Sequence, residues 1–252
     1  MFILFLILIF LCWGSFLNVV AYRITFDKKF LTTRSVCIHC NKIIKWYDNI
    51  PVFSWIRLKG KCSVCRKTIS WLYTFTEIVT AILMTILFIR YFDNIPLFLS
   101  YFIFFSALIV ATRTDLEAMV IPQLFSLWLV PVGIILSVLN FTKITVLESL
   151  LGAILGYGVL GIVAKVFKFV TKKDGLGQGD MELLAMIGSF LGPIGIWFAL
   201  TIGSIVGLFI GGGYLLITKK LKTTRIPFGP FLALGAIVYF FYENTILMFL
   251  AG

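Results

Sequence analysis

Six side chains have the types and spacing for chemistry: the carboxylates of Asp115 and Asp180, and the thiols of Cys37, Cys40, Cys62 and Cys65. Asp180 ends the stretch Gly175-Leu-Gly-Gln-Gly-Asp180 and opens a run, Met181 to Leu191, that is apolar apart from Glu182 and Ser189. Glycines at alternate positions free that backbone of Cβ restrictions and let another chain approach closely. A carboxylate at the boundary of an apolar helix is costly to ionise unless solvated or paired. Taken alone, Asp180 reads most simply as an N-cap that accepts the first helical amides. Asp115, within Arg113-Thr-Asp-Leu-Glu-Ala-Met-Val-Ile-Pro122, occupies a matching place just beyond another apolar run, and this second acid favours a functional pair. The plain alternative for Asp115 is a solvated charge paired with Arg113, and for Glu117 that alternative is preferred.

Two carboxylates brought together at a partly desolvated site do not both ionise easily, so one keeps its proton and they titrate as a coupled pair. Such a pair suits peptide hydrolysis. The ionised partner activates a water for attack on the carbonyl; the protonated one hydrogen-bonds the carbonyl oxygen and helps protonate the leaving amine. The sequence does not distribute these two roles.

The thiols form two units, Cys37-Ile-His-Cys40 and Cys62-Ser-Val-Cys65, separated by 21 residues. Four thiolates at this spacing suit one tetrahedral zinc, and a closed shell of sulfur leaves no place for water or substrate, so the metal is structural. Their surroundings repeat at 25 residues: Cys37, Cys40, Lys42, Ile44 and Trp46 recur as Cys62, Cys65, Lys67, Ile69 and Trp71. Two similar knuckles facing one metal are therefore predicted. About 45 residues can hardly bury enough apolar surface to fold alone, so metal binding supplies much of the folding free energy. His39, the only histidine, could replace one ligand, but an exposed knuckle side chain is the simpler reading. Cys12 reads as a small buried apolar residue.

The elements that must position these groups are membrane helices. With 60% hydrophobic and 13% charged residues and a mean hydropathy of +1.05, the chain is too apolar for a soluble globule. The expected fold is an all-α polytopic membrane protein with about eight transmembrane helices and a small cytoplasmic zinc-binding insertion. The spans are expected over 2–22, 71–90, 95–112, 119–140, 145–168, 180–191, 194–217 and 228–250. The first carries no preceding basic residue and no clear cleavage site, and reads as a retained span rather than a signal peptide. Gly192-Pro193 separates the short sixth span from the seventh.

Of the 22 Lys and Arg, twenty fall in 23–70, near Arg113, in 165–174 and in 219–225. If the short helix crosses, all four loops share one face, which the positive-inside rule makes cytoplasmic, with both termini outward. The net charge of +11 is explained by this topology, so nucleic acid is not an expected partner. A cytoplasmic, reducing location also disfavours two disulfides. Gly203, Gly207 and Gly211 suggest close helix packing, within this chain or in a homo-oligomer. The 26 Phe need no functional reading in helices that face membrane lipid.

The ordered set of motifs resembles the type IV prepilin peptidases, membrane aspartyl proteases whose second acid lies in Gly-x-Gly-Asp. Gly14-Ser-Phe-Leu-Asn-Val19 looks like the family's opening signature, the paired Cys-x-x-Cys units like its cytoplasmic zinc domain, and Asn49-Ile-Pro-Val-Phe-Ser-Trp55 like the filler between them. Asp115 before Ile121-Pro122 and Asp180 in Gly177-Gln-Gly-Asp180 match the catalytic acids, and Pro227-Phe-Gly-Pro-Phe231 matches the loop before the last span. The resemblance implies a bifunctional enzyme of the bacterial inner membrane. It would cleave the basic leader of type IV prepilins or pseudopilins on the cytoplasmic side and N-methylate the new N-terminus from S-adenosylmethionine. The polar segment between the apolar runs divides the chain into a first helix (1–22), a zinc domain (23–70) and a multi-span peptidase domain (71–252). The methyl-donor site is not readable; Asn18 and Glu77 are its candidates, against an interhelical hydrogen bond for Asn18 and a Lys or Arg partner for Glu77. Two departures stand out: Glu182 where the family usually has lysine, and Gln123 where an acid is common. The competing readings are a peptidase without transferase activity, an intramembrane protease of the signal-peptide or presenilin type, and a non-enzymatic zinc-bearing scaffold.

Overall fold

The computed structural model describes residues 1–26, 35–172, 175, 177–218 and 226–251. The loop 219–225 and Lys28, Lys29, Arg34, Lys173 and Leu176, used above for topology and for the glycine-rich stretch, lie outside the described residues. The described residues form helices and two isolated bridges. Among the described residues, five helices are long and apolar enough to cross a membrane: Phe2–Thr25, Trp71–Tyr91, Ile95–Ala118, Val146–Thr171 and Gln178–Gly213. The chain divides into two compact units, Met1–Arg113 and Thr114–Gly252.

The first unit holds α1 (Phe2–Thr25), the short α2 (Phe53–Arg57), α3 (Trp71–Tyr91) and most of α4 (Ile95–Ala118). Helices α1 and α3 approach closely at Gly14, where an added Cβ would meet the Glu77 Cα at 2.8 Å. Ser70 caps α3, its hydroxyl accepting the Leu72 amide at 3.3 Å. Trp13 Nε1 donates to Ser106 Oγ at 3.0 Å, tying α1 to α4. Cys12 is exposed on α1 rather than buried. On a helix of this composition an outward thiol faces hydrocarbon, which solvates a small apolar side chain as well as a protein core does.

Between α1 and α3 the 25-residue repeat becomes a repeat of main-chain bonds. Cys37 N–H donates to Lys42 O and Ile44 N–H to Ser35 O; Cys62 N–H donates to Lys67 O and Ile69 N–H to Gly60 O. Each knuckle closes with a residue of positive φ, Asn41 at 55° and Arg66 at 60°.

The second unit contains α5 (Leu129–Val138), α6 (Val146–Thr171), α7 (Gln178–Thr218) and α8 (Gly229–Ala251). A capping box starts α6: Thr145 Oγ1 accepts the Glu148 amide, and the Glu148 carboxylate accepts the Thr145 amide. Helices α6 and α7 meet backbone to backbone, since a Cβ on Gly152 would fall 2.1 Å from Gly188 O and one on Gly156 2.5 Å from Leu184 O. Helix α7 breaks at Gly192 (φ 73°), before Pro193, where the expected sixth and seventh spans divide. The stripe Gly203, Gly207, Gly211 receives Phe231 and Ile226 of the same chain.

Two expected boundaries move. Helix α4 continues through Asp115 to Ala118 instead of ending at 112. The stretch 119–128 is not the start of a helix: Met119 has φ 54°, and a 3-10 turn at Gln123–Phe125 precedes the ten-residue α5. Pro122 lacks an amide donor and disfavours helical geometry at Ile121, and the polar side chains of this turn find partners elsewhere, described next.

Candidate active site and metal centre

Asp115 lies in the last turn of α4, where its carbonyl accepts the Met119 amide at 2.9 Å. The residue is only 6% exposed, and its carboxylate Oδ2 accepts the N–H of Gly229, 114 positions away, at 2.9 Å. A Cβ on Gly229 would come within 2.8 Å of that oxygen and 3.1 Å of Ile121 Cδ1. Glycine is what lets the start of α8 reach the acid.

Asp180 lies in the first turn of α7, with its amide directed to Gly177 O at 3.3 Å. Ile121 packs beside both acids' supports: a Cβ on Gly229 would meet its Cδ1 at 3.1 Å, and one on Gly179 its Cβ at 2.9 Å. The two carboxylates are near enough for the charge on one to act on the other. The Asp115 carboxylate is held by the Gly229 amide, and among the described residues no hydrogen bond joins the two acids directly.

Glu182 is buried, at 1% exposure. Its Oε1 accepts Gln123 Nε2 at 3.1 Å and Gln178 Nε2 at 3.0 Å, and its Oε2 accepts Ser126 Oγ at 3.3 Å. The two departures noted in sequence, Gln123 and Glu182, are thus one hydrogen-bonded pair.

The four cysteine sulfurs lie within 4.8 Å of one another, and Cys37 Sγ and Cys65 Sγ are 3.8 Å apart. A tetrahedral ion with metal–sulfur bonds of about 2.3 Å places its ligands about 3.8 Å apart, so the set fits one metal ion. The backbone amides of Cys65 and Val64 hold the Cys62 thiol down to about 7, toward the thiolate that ligation needs. His39 is exposed.

Asn18 bridges three helices: its amide nitrogen donates to Tyr73 O at 2.9 Å, and its oxygen accepts Arg113 Nε at 3.2 Å. Glu77 accepts the backbone amide of Val52 at 2.8 Å. Val52 carries φ 61° and ψ −54°, and Phe53 N–H turns back to Pro51 O at 2.5 Å. That γ-turn is strained for a β-branched residue and aims its amide at Glu77. A cavity of about 210 Å³ opens here, with Asn18, Tyr22, Asp48, Asn49, Tyr73 and Glu77 in its wall.

Sequence reasoning gave no role to Gly229, Val52, or the Glu182 donors Gln178 and Ser126. Only a glycine before Pro230 marked the first, inside a motif already singled out.

Two family models cover most of the chain: residues 8–91 match the Bacterial Peptidase A24 N-terminal domain, and 102–212 match the Type IV leader peptidase family. A prepilin leader peptidase/N-methyltransferase of Aeromonas hydrophila is 31% identical, over 92% of this chain and 88% of its own length. One of the same name from Dichelobacter nodosus is 35% identical, over 92% and 89%. A type 4 prepilin-like proteins leader peptide-processing enzyme of enterotoxigenic Escherichia coli is 30% identical, over 91% and 90%. No solved structure matches. A pair of acids on the ends of two apolar helices, a four-thiol metal cluster and this near full-length likeness have one explanation, that the chain belongs to the type IV leader peptidase family.

Proposed function

We propose that this protein cleaves the leader peptide of type IV prepilin-like proteins at the cytoplasmic membrane surface, with Asp115 and Asp180 as the catalytic pair, and N-methylates the residue so exposed. The observation that carries the peptidase reading is the seating of both acids in one unit, at helix ends joined through Ile121 and Gly229. One acid activates water against the scissile carbonyl while the other supplies a proton to the carbonyl oxygen and then the leaving amine. The Gly229 amide fixes the Asp115 rotamer throughout. Gly229→Ala is expected to push the two apart and lower kcat for cleavage about 100-fold, with KM little changed, in a steady-state assay on a prepilin-like peptide.

The four thiolates hold zinc as a structural ion, in a segment, 23–70, between the first helix and the multi-span peptidase region, 71–252. The asymmetry of the basic loops supports a cytoplasmic location for that segment and both acids, at an inner membrane with lipid around the outward apolar faces. A homo-oligomer would have to use a face other than the glycine stripe, which α8 occupies.

S-adenosylmethionine, when bound, supplies an electrophilic methyl carbon. The cavity beside the metal segment fits it chemically: the Glu77 carboxylate suits a cationic group, amides at Asn18 and Asn49 suit polar edges, and Tyr22 and Tyr73 offer ring faces. The new α-amine must lose a proton to be N-methylated, and Glu77, in the cavity wall, is the carboxylate we assign to receive it.

Mass spectrometry of a prepilin-like substrate incubated with the metal-loaded protein and S-adenosylmethionine tests both activities. The expected spectrum shows loss of the leader and gain of one methyl group. Cleavage without the methyl would leave a peptidase only, and several intact substrates would favour the scaffold reading.

A further inference from the structure

Glu182 lies two residues past Asp180, and its carboxylate takes three bonds from neutral donors, Gln123, Gln178 and Ser126. Ser126 is itself fully buried, and among the described residues no cation reaches the carboxylate. A buried acceptor held only by neutral donors depends on each of them, because losing one leaves charge or lone pairs unsatisfied.

The donors come from the two segments that carry the acids. Gln178 is the glycine-flanked residue at the head of α7. Gln123 and Ser126 belong to the turn that follows Asp115 and Ile121. Their bonds converge on one carboxylate, so the segment leaving Asp115 is tied to the turn bearing Asp180. Inside that tie Ile121 is wedged against Gly179 and Gly229, and Gly229 holds Asp115.

We infer that Glu182 is a positioning residue for the peptidase reaction: through Gln123, Ser126 and Gln178 it sets where Asp180 sits relative to Asp115. The inference rests on the reading of those two acids as the catalytic pair. Three donors already engage both carboxylate oxygens, so it acts by holding the two segments and not as a third proton-transfer group.

The test measures kcat and KM for cleavage of a prepilin-like peptide by the full chain in lipid nanodiscs, per folded molecule. The variants are Glu182→Gln, Glu182→Lys, Gln123→Ala and the pair Gln123→Glu with Glu182→Lys, with Asp180→Asn as reference. Glu182→Gln is expected to lower kcat about 10-fold with KM within about 2-fold, since small displacements of catalytic groups act on turnover. Glu182→Lys alone is expected to lose about 100-fold. Adding Gln123→Glu should recover at least 10-fold of that, because opposite charges rejoin the two segments. Wild-type kcat in both Glu182→Gln and Gln123→Ala would overturn the inference, as would a loss in Glu182→Lys that the second substitution leaves untouched. If Glu182→Lys does not fold, Glu182→Gln and Gln123→Ala decide: matching losses in kcat support the inference, and wild-type rates end it. Wild-type cleavage by Asp180→Asn would instead remove the catalytic pair reading itself, whatever the Glu182 variants do.

Discussion

Replacing Asp180 with asparagine is expected to lower kcat/KM for leader cleavage about 10⁴-fold, at the upper end of what one acid–base group contributes. Asparagine keeps the size of the side chain and its place in the first turn of α7, so the helix is retained and only proton transfer is lost. Asp115→Asn is expected to cost as much, with an added loss of grip on the Gly229 amide, which a neutral amide oxygen accepts less strongly. The double variant should be little worse than either single one, because two groups acting as one unit are not additive. Methylation of a peptide supplied already cleaved should stay within about 2-fold. Single-turnover cleavage and methyl incorporation, measured on the same preparations, check all four statements; additive losses would mean the acids work separately.

Metal removal is expected to act the other way round. Cys62→Ser, or a strong chelator, takes away a ligand set whose binding supplies on the order of 10 kcal/mol in small zinc domains. The knuckles have little else to hold them: Ile38, Ile43, Trp46, Phe53 and Ile56 are all exposed. Unfolding them would remove the Val52 amide from Glu77 and open the wall of the neighbouring cavity. Methyl transfer should therefore fall more than 100-fold. Cleavage should fall far less, since both acids belong to the other compact unit. Metal content by elemental analysis, followed against both activities during chelation, checks the order of loss; parallel loss of both would count against it.

What was legible in sequence was local. The paired Cys-x-x-Cys units and their 25-residue echo are short-range patterns, and the structure turns them into matching bonds at Cys37 and Cys62. The helices were visible in uninterrupted apolar runs, and the break at Gly192-Pro193 in its own residues. Asp180 was conspicuous because few carboxylates enter such runs. The rest depends on contacts that no spacing encodes. Asp115 meets Gly229 across 114 positions, and Gln123 meets Glu182 across 59. The stretch 119–128 looked like part of a span because it is apolar. Its irregular path follows from Pro122 and from two side chains bonded to α7, which only the fold reveals.

The break at Gly192 gives the first part of α7 the mechanics of a lever. Asp180 stands twelve residues from that break, about 18 Å along a helix rising 1.5 Å per residue. A rotation of about 5° at the break would carry the acid through about 1.6 Å, more than catalytic groups tolerate. The interlock of Gly152 with Gly188, only four residues from the pivot, acts as the bearing that stops this swing. Aim at the head of this helix is thus set at its break, twelve residues away.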